Sequence, residues 1–378
     1  MEFLAKTFAG LEETLAAELQ ALGADQIAVQ PRLVRFNGNK EVLYKANYLS
    51  RTALRILVPL FDFEAKNEQQ LYNGIRSFDW SDWINPDKTF AIDPVVNSSV
   101  FRHSHYAALK AKDAIADQFR DRTGLRPSVD TDNPDLRINL HISETACSVS
   151  IDSSGDSLHR RGYRTGTREA PINEVLAAGM ILMTGWTGET LFLDPMCGSG
   201  TILIEAAMIA ANMPPLGLRR TFGFQHWPNF DAPLWSKIKK EAQAAIRKPA
   251  FPILGYDKDP RALGVADKNI FAAGLEQSIS LERKKFETLE PPPGPGIAVF
   301  NPPYEERMIT GDINELYKNI GDQLKQAFAG YDAWIISANM EALKHIGLRP
   351  SKKINLFNGP LACKFQRYEL YDGTRNFK

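Results

Sequence analysis

LFLDPMCGSGTILIEAA, residues 191–207, decides the fold. An apolar strand runs into a glycine-bearing turn and then into an apolar helix, and ligands of open α/β sheets bind at such turns. Gly198 and Gly200 lack a Cβ, so the backbone can close tightly under a ligand, and the following helix start offers unpaired amides. A lone Gly-x-Gly is weak evidence. Asp194 at the strand end and Thr201 at the helix start sharpen it, because an acid there can hold a ligand ammonium and repel phosphate.

Around this segment, from Ala170 onward, helical and strand patterns alternate: PINEVLAAGMILMTGW, LFLDP, GTILIEAAMIAANM, FPILGYD, PRALGVADKNIFAAG, IAVFNPPY, INELYKNIGDQLKQAFAG and DAWIISAN. That order predicts a doubly wound, mostly parallel sheet. The strand after the glycine turn ends in Asp257, one helical crossover on, placed to accept hydrogen bonds from a ribose hydroxyl pair. Its alternative is to cap the helix PRALGVADKN, with Pro260 in the first turn, but Asp259 fits that task better. Asp257 is therefore assigned to ligand and Asp259 to cap.

The third element is IAVFNPPYEER, a buried-type strand that prolines 302 and 303 must end at Asn301, since proline cannot donate to a sheet ladder. Asn301 and the Pro302 carbonyl can both accept hydrogen bonds from one amino group, and Tyr304 offers a stacking face to a base. Such positioning favours a pyramidal nitrogen attacking a methyl group in line. Most Asn-Pro dipeptides are only turns. Here the motif follows a glycine turn and a ribose-type acid on the same sheet, which favours a site.

The first 160 residues read differently. LEETLAAELQAL is an amphipathic helix and IAVQPRLVRFNG a pair of strands around a turn, which predicts a small α+β region over 1–60. Over 61–160, FAIDPVVN reads as a strand, HYAALKAKDAIADQFRDRTG as a helix closed by Gly124, and LRINLHISETACSVSIDSSG as a hairpin. A length of 378 residues suits two or three domains, and 44% apolar with 24% charged residues lies in the globular range.

Basic and acidic residues balance at 45 each, so any nucleic-acid affinity must be local. Basic residues gather at 102–112, 120–126 and 160–168, where solvated charges are the commoner explanation. The acidic N-terminus argues against a signal peptide, and no stretch approaches the ~20 apolar residues of a membrane span. Cys147, Cys197 and Cys363 have neither disulfide nor zinc spacing, which makes a reducing cytoplasm the expected home and leaves no metal site or obligatory protein partner in view. A cytosine-C5 enzyme would need a thiolate at the base pocket, whereas Cys197 lies inside the glycine turn.

Together the segments around Gly198, Asp257 and Asn301 resemble the class I S-adenosylmethionine-dependent methyltransferases with an Asn-Pro-Pro-Tyr active site. LHRRGYRTGTREAPINEVLAAGMI (158–181) and PPLGLRRTFGFQHWPNFDAPLW, within 212–236, are similar to the bacterial RlmL-type guanine-N2 methyltransferases. The resemblance covers essentially the whole chain. It implies an α/β Rossmann-like catalytic domain over 161–378, preceded by a ferredoxin-like α+β region over 1–60 and a THUMP RNA-binding domain over 61–160.

By this resemblance Asp194, Pro195, Gly198, Gly200 and Thr201 line the methionine and ribose side of S-adenosylmethionine, with Cys197 and Lys258 beside them, and Asp257 holds the ribose. Pro171, Asn173 and Glu174 close over the methionine end. Asn301, Pro302, Pro303 and Tyr304 hold the target amine. Phe101, Arg102, His105 and Lys110, with Arg161 and Arg164, are the candidate contacts to RNA, expected to be large-subunit ribosomal RNA.

Relatives often carry an acid for the adenine amine where this chain has Lys285 and Phe286, so backbone groups or Glu287 are expected to recognise adenine. Fused relatives continue into a second methyltransferase domain, whereas this sequence ends at Lys378, so one modification is expected. Transfer RNA as the guanine-N2 substrate is the nearest alternative. An inactive RNA-binding or assembly factor is another, and a DNA adenine-N6 enzyme a third that the THUMP-like half disfavours.

Overall fold

The computed structural model describes residues 1–165, 172–304 and 312–371. The chain forms two units: Met1–Thr7, Glu18–Leu158 and Arg219–Lys239 in the first, and Phe8–Ala17, His159–Leu218 and Lys240–Lys378 in the second.

In chain order the N-terminal elements are β1 (Glu2–Lys6), α1 (Glu12–Ala21), β2 (Asp25–Gln30), β3 (Leu33–Asn37), α2 (Lys40–Leu49), β4 (Arg55–Glu64), α3 (Glu68–Ser77), β5 (Thr89–Asn97), α4 (Ser104–Thr123), β6 (Ser128–Val129), β7 (Leu136–Ser143) and β8 (Ala146–Asp152). Their strands make one sheet, ordered β2-β3-β1-β4-β8-β7-β5-β6. The expected helix before Gly124 is α4, closed by that glycine at φ 74° with its N–H on the Arg120 carbonyl. The expected hairpin is β7–β8, where Leu136, Ile138, Leu140 and Ile142 bury one face by period-two alternation. Pro94 falls beyond β6, which pairs only with Thr89 and Phe90, so the missing N–H sits at a sheet edge.

Residues 219–239 complete the core of the first unit over α2. Phe224 stacks on Tyr44 at 4.3 Å between ring centroids, and Trp235 meets Tyr48 edge-on at 5.1 Å. The backbone is tied as well: Lys40 donates to the Asn229 carbonyl at 2.7 Å, and the Tyr44 hydroxyl accepts the Asp231 N–H at 3.0 Å. Tyr44→Phe keeps the ring stack and orphans that N–H, so urea unfolding should show a loss of about 1 kcal/mol. An unchanged midpoint would mean that water replaces the hydroxyl.

The second unit contains α5 (Glu174–Thr184), β9 (Leu191–Asp194), α6 (Thr201–Ala210), then, after α7 (Ala232–Ala244), β10 (Ile253–Asp257), α8 (Pro260–Ala273), β11 (Ile279–Arg283), β12 (Gly296–Phe300), α9 (Ile313–Ala327), β13 (Tyr331–Ser337), β14 (Lys352–Asn358) and β15 (Leu361–Glu369). The sheet order is β11-β10-β9-β12-β13-β15-β14. From β11 to β13 all neighbours are parallel, while β15 runs antiparallel to β13 and to β14. The chain builds outward from β9 through β10 to β11, then returns to place β12 on the other side of β9. The strand order thus reverses between β9 and β12, and their carboxyl ends flank the crevice that such a reversal opens. Phe286, Phe300, Phe328, Tyr317 and Tyr331 belong to one buried cluster between the sheet and α9.

Candidate active site

The carboxyl ends of three adjacent strands, β10, β9 and β12, carry Asp257, Asp194 and the Asn301 segment. Asp194 is 1% exposed, and its Oδ1 accepts the Met196 N–H at 3.1 Å. Burial, reinforced by the charge of Asp257, pushes its carboxyl well above the usual carboxylate range. A cationic partner would reverse that penalty.

The turn after β9 places Gly198 at φ 55° and Gly200 at φ 79°, in the left-handed region. A Cβ on Gly200 would also meet the Ala266 Cβ of α8 at 3.2 Å. Gly255 in β10 has still less room: a Cβ there would lie 2.3 Å from Leu203 Cδ1 and 3.4 Å from the Cys197 sulfur. Cys197 is buried within this packing, and burial, with the nearby Asp194 and Asp257, pushes its thiol well up. It is a packing residue and no ready nucleophile.

Asp257 braces the same turn. Its Oδ2 accepts the Gly198 N–H at 3.0 Å and its Oδ1 the Asp259 N–H at 2.9 Å. A carboxylate oxygen has two lone pairs, so both can still accept ribose hydroxyls. Asp259 caps α8 through the Arg261 N–H at 2.9 Å, with Pro260 in the first turn.

Past β12, the Asn301–Tyr304 segment is held from below by groups that the motif itself does not reveal. Tyr317 of α9 donates to the Pro303 carbonyl at 3.2 Å and lies 2.6 Å from Ser337 Oγ at the end of β13. Ser337 accepts the Asn339 N–H at 3.0 Å, and the Asn339 side chain donates to the Tyr304 carbonyl at 3.1 Å. Burial pushes the Tyr317 hydroxyl up to about 12 and the Tyr304 hydroxyl further still, so both stay protonated donors. The Tyr304 hydroxyl donates to Asn301 Oδ1. The tyrosine thus occupies the acceptor expected for the target amine, where the sequence suggested a ring held ready for stacking. Asn339 could have been suspected from its place just past the strand DAWIIS; Tyr317 reads as one more apolar-face residue of a helix.

Near α5, Asn173 caps the helix through the Val175 N–H at 2.9 Å, and Glu174 is 4% exposed and paired with Arg164 at 2.7 Å. Pro171 lies outside the described residues. Pro195 is buried, and Lys258 is exposed, its carbonyl accepting from Arg283 at 3.3 Å. Lys285 precedes the short turn Phe286–Thr288, and Phe286 stacks on Phe328 at 5.7 Å in the core. The backbone is engaged here too, Lys284 N–H donating to the Asp257 carbonyl at 3.1 Å.

Three of the expected RNA contacts are corrected. Arg161 has a side chain 0% exposed and paired with Glu205, also 0% exposed, so it cannot reach a phosphate. Arg164 is taken up by Glu174, Ile172 and Thr201. Phe101 is buried at 7% exposure. Arg102 and His105 are exposed at the start of α4, and Lys110 lies half-buried on the same helix, 5.6 Å over the Tyr106 ring. Among the described residues no group of three or more His, Cys, Asp or Glu side chains could hold a metal ion, and no helix is long and apolar enough to cross a membrane.

Known proteins resemble this chain in sequence and fold. Residues 161–367 match the family described as RMKL-like, methyltransferase domain; residues 65–152 match the THUMP domain, and residues 2–57 the RlmL ferredoxin-like domain. The Synechocystis protein slr0064, whose name ascribes to it an inferred RNA methyltransferase activity, is 40% identical over 98% of this chain and 97% of its own. Ribosomal RNA large subunit methyltransferase K/L of Methylococcus capsulatus is 41% identical over 98% of this chain but 51% of its own, so the chain spans about half the length of that relative. The crystal structure of SMU.472, an inferred methyltransferase complexed with SAH, superposes with a TM-score of 0.89 at 29% identity, covering 99% of both chains. With 98% coverage at 40% identity and a methyltransferase profile over more than half its length, the chain belongs to the RMKL-like methyltransferase family.

Proposed function

We propose that the chain transfers a methyl group from S-adenosylmethionine to the exocyclic N2 amine of a guanine in RNA, with large-subunit ribosomal RNA as the substrate. The observation that carries this reading is the meeting of Asp194, the Gly198–Gly200 turn, Asp257 and Asn301 at the ends of three adjacent parallel strands, where the strand order reverses. The residues fit the cofactor: two left-handed glycines leave a cradle, a buried carboxyl awaits a cation, and Asp257 keeps lone pairs for a ribose. When bound, the cofactor supplies an electrophilic methyl on a sulfonium.

The chain's own part is positioning. Asn301 Oδ1 and the Pro302 carbonyl accept the two N–H bonds of the amine, turning its lone pair toward the methyl. Once the cofactor's methyl is transferred to the nitrogen, the surplus amine proton would pass to water. For the amine to reach Asn301, Tyr304 gives up its hydrogen bond and turns its ring to the base. A guanine in a stem must first be extruded into the pocket. We place the reaction in the cytoplasm.

The purified chain, supplied with labelled S-adenosylmethionine and protein-free ribosomal or transfer RNA, should place label in N2-methylguanosine of the large-subunit RNA after digestion to nucleosides. Label in any other nucleoside contradicts the assignment. RNA capture falls to Arg102, His105 and Lys110. Charge reversal at Arg102 and Lys110 should weaken binding and flatten the log–log salt dependence by about 1 to 2 units of slope, at about 0.7 to 0.9 per phosphate contact. Anisotropy titrations at several salt concentrations check this, and an unchanged slope would move the RNA surface elsewhere.

A further inference from the structure

Arg164 holds the starts of two helices together. Its Nε donates to Glu174 Oε1 at 2.7 Å, in the first turn of α5, and its Nη2 donates to the Ile172 carbonyl at 3.1 Å and to Thr201 Oγ1 at 3.3 Å, where α6 begins. The third nitrogen, Nη1, is buried and has no hydrogen-bond partner among the described residues. Buried guanidinium N–H groups are normally satisfied, and an orphan is costly to keep. A second, independent feature points the same way: α6 starts behind Gly200 with no side-chain cap, which leaves its first amides without an acceptor from that residue. Uncapped helix amides beside an unspent guanidinium N–H favour an anion.

We propose that Arg164 recognises the α-carboxylate of the methionine moiety of S-adenosylmethionine. This inference rests on the cofactor reading above. The opposite charge of the same moiety, its ammonium, falls to Asp194, the buried acid that ends β9 ahead of the glycine turn. Phosphate is disfavoured there by Asp194 and Asp257. Arg164 thus reads one end of a zwitterion, and its pairing with Glu174 fixes the fork in place.

The test is calorimetric, on the full chain, with S-adenosylhomocysteine and with its decarboxylated analogue, which keeps the amine. The wild-type chain should bind S-adenosylhomocysteine about tenfold to a hundredfold more tightly than the analogue, the span of one charge-assisted hydrogen-bonded contact. In the double variant Arg164→Gln, Glu174→Gln, which removes both charges of the pair, that ratio should fall toward one, whatever affinity the two ligands lose in common. Arg164→Lys, with the charge but without the fork, should retain an intermediate ratio. Equal loss of affinity for both ligands, with the ratio preserved, overturns the proposal and makes Arg164 a purely structural tie. A wild-type ratio near one also overturns it. Failure of the wild-type chain to bind S-adenosylhomocysteine at all removes the cofactor reading and the proposal together.

Discussion

Asn301→Ala should lower methyl transfer by about 10²–10³-fold while leaving affinity for S-adenosylhomocysteine within about twofold. The asymmetry follows from where the residue sits. Asn301 follows β12 directly, and its amide oxygen bonds only Tyr304 among the described side chains, whereas the glycine turn is braced by Asp257 from β10. Removing the Asn301 amide therefore takes away an acceptor for the amine and touches nothing that shapes the cradle. Single-turnover transfer with saturating cofactor, beside calorimetric binding, separates the two quantities. If cofactor affinity fell with activity, Asn301 would belong to the cradle and the division of labour between β9–β10 and β12 would be wrong.

The largest effect on stability is expected at Arg161. Its side chain and that of Glu205 are both 0% exposed, with Nε 3.4 Å from Oε1, and the Tyr163 hydroxyl donates to the same carboxylate oxygen at 3.0 Å. Arg161→Ala leaves the Glu205 charge buried without this cation, which costs about 3–5 kcal/mol; replacing both partners by apolar groups, Arg161→Met with Glu205→Leu, should restore part of it, less the cost of the Tyr163 hydroxyl left without its acceptor. Urea unfolding of the single and double variants closes the cycle. A single-variant loss under about 1 kcal/mol would mean that water reaches Glu205 and that the pair contributes little.

Arg161 also shows where sequence reading stops. In the run 158–168 it looks like its neighbours Arg160 and Arg164, and a cluster of arginines suggests a contact to phosphate. Its burial is decided by Glu205, 44 positions away on the apolar helix α6, where an acid between Ile204 and Ala206 gives no hint of its partner. The glycine turn, the acid ending the next strand and the Asp259 cap were legible because each depends on local backbone geometry: φ above zero, a strand end, a helix start.

Nothing local in the sequence marks the hairpin β14–β15. Its strands carry polar residues such as Lys352, Lys353, Asn355 and Lys364 through much of their length, and only pairing with β13 defines them. Nor does any local signal say that residues 219–239 supply aromatic rings to the core around Tyr44 and Tyr48; that depends on side chains more than 170 positions apart. Phe286 stands where relatives often carry an acid for the adenine amine, and Phe300 and Phe328 claim its ring for the core. Tyr304 was expected to stack, and its hydrogen bond to Asn301 could be seen only once both side chains had positions.

The most direct test of the central claim is mass spectrometry of nucleosides from ribosomal and transfer RNA fractions of cells with and without the gene. The account predicts that N2-methylguanosine is lost from the large-subunit ribosomal RNA and returns with the wild-type gene but not with Asn301→Ala. Loss confined to transfer RNA, or no loss in either fraction, would contradict it.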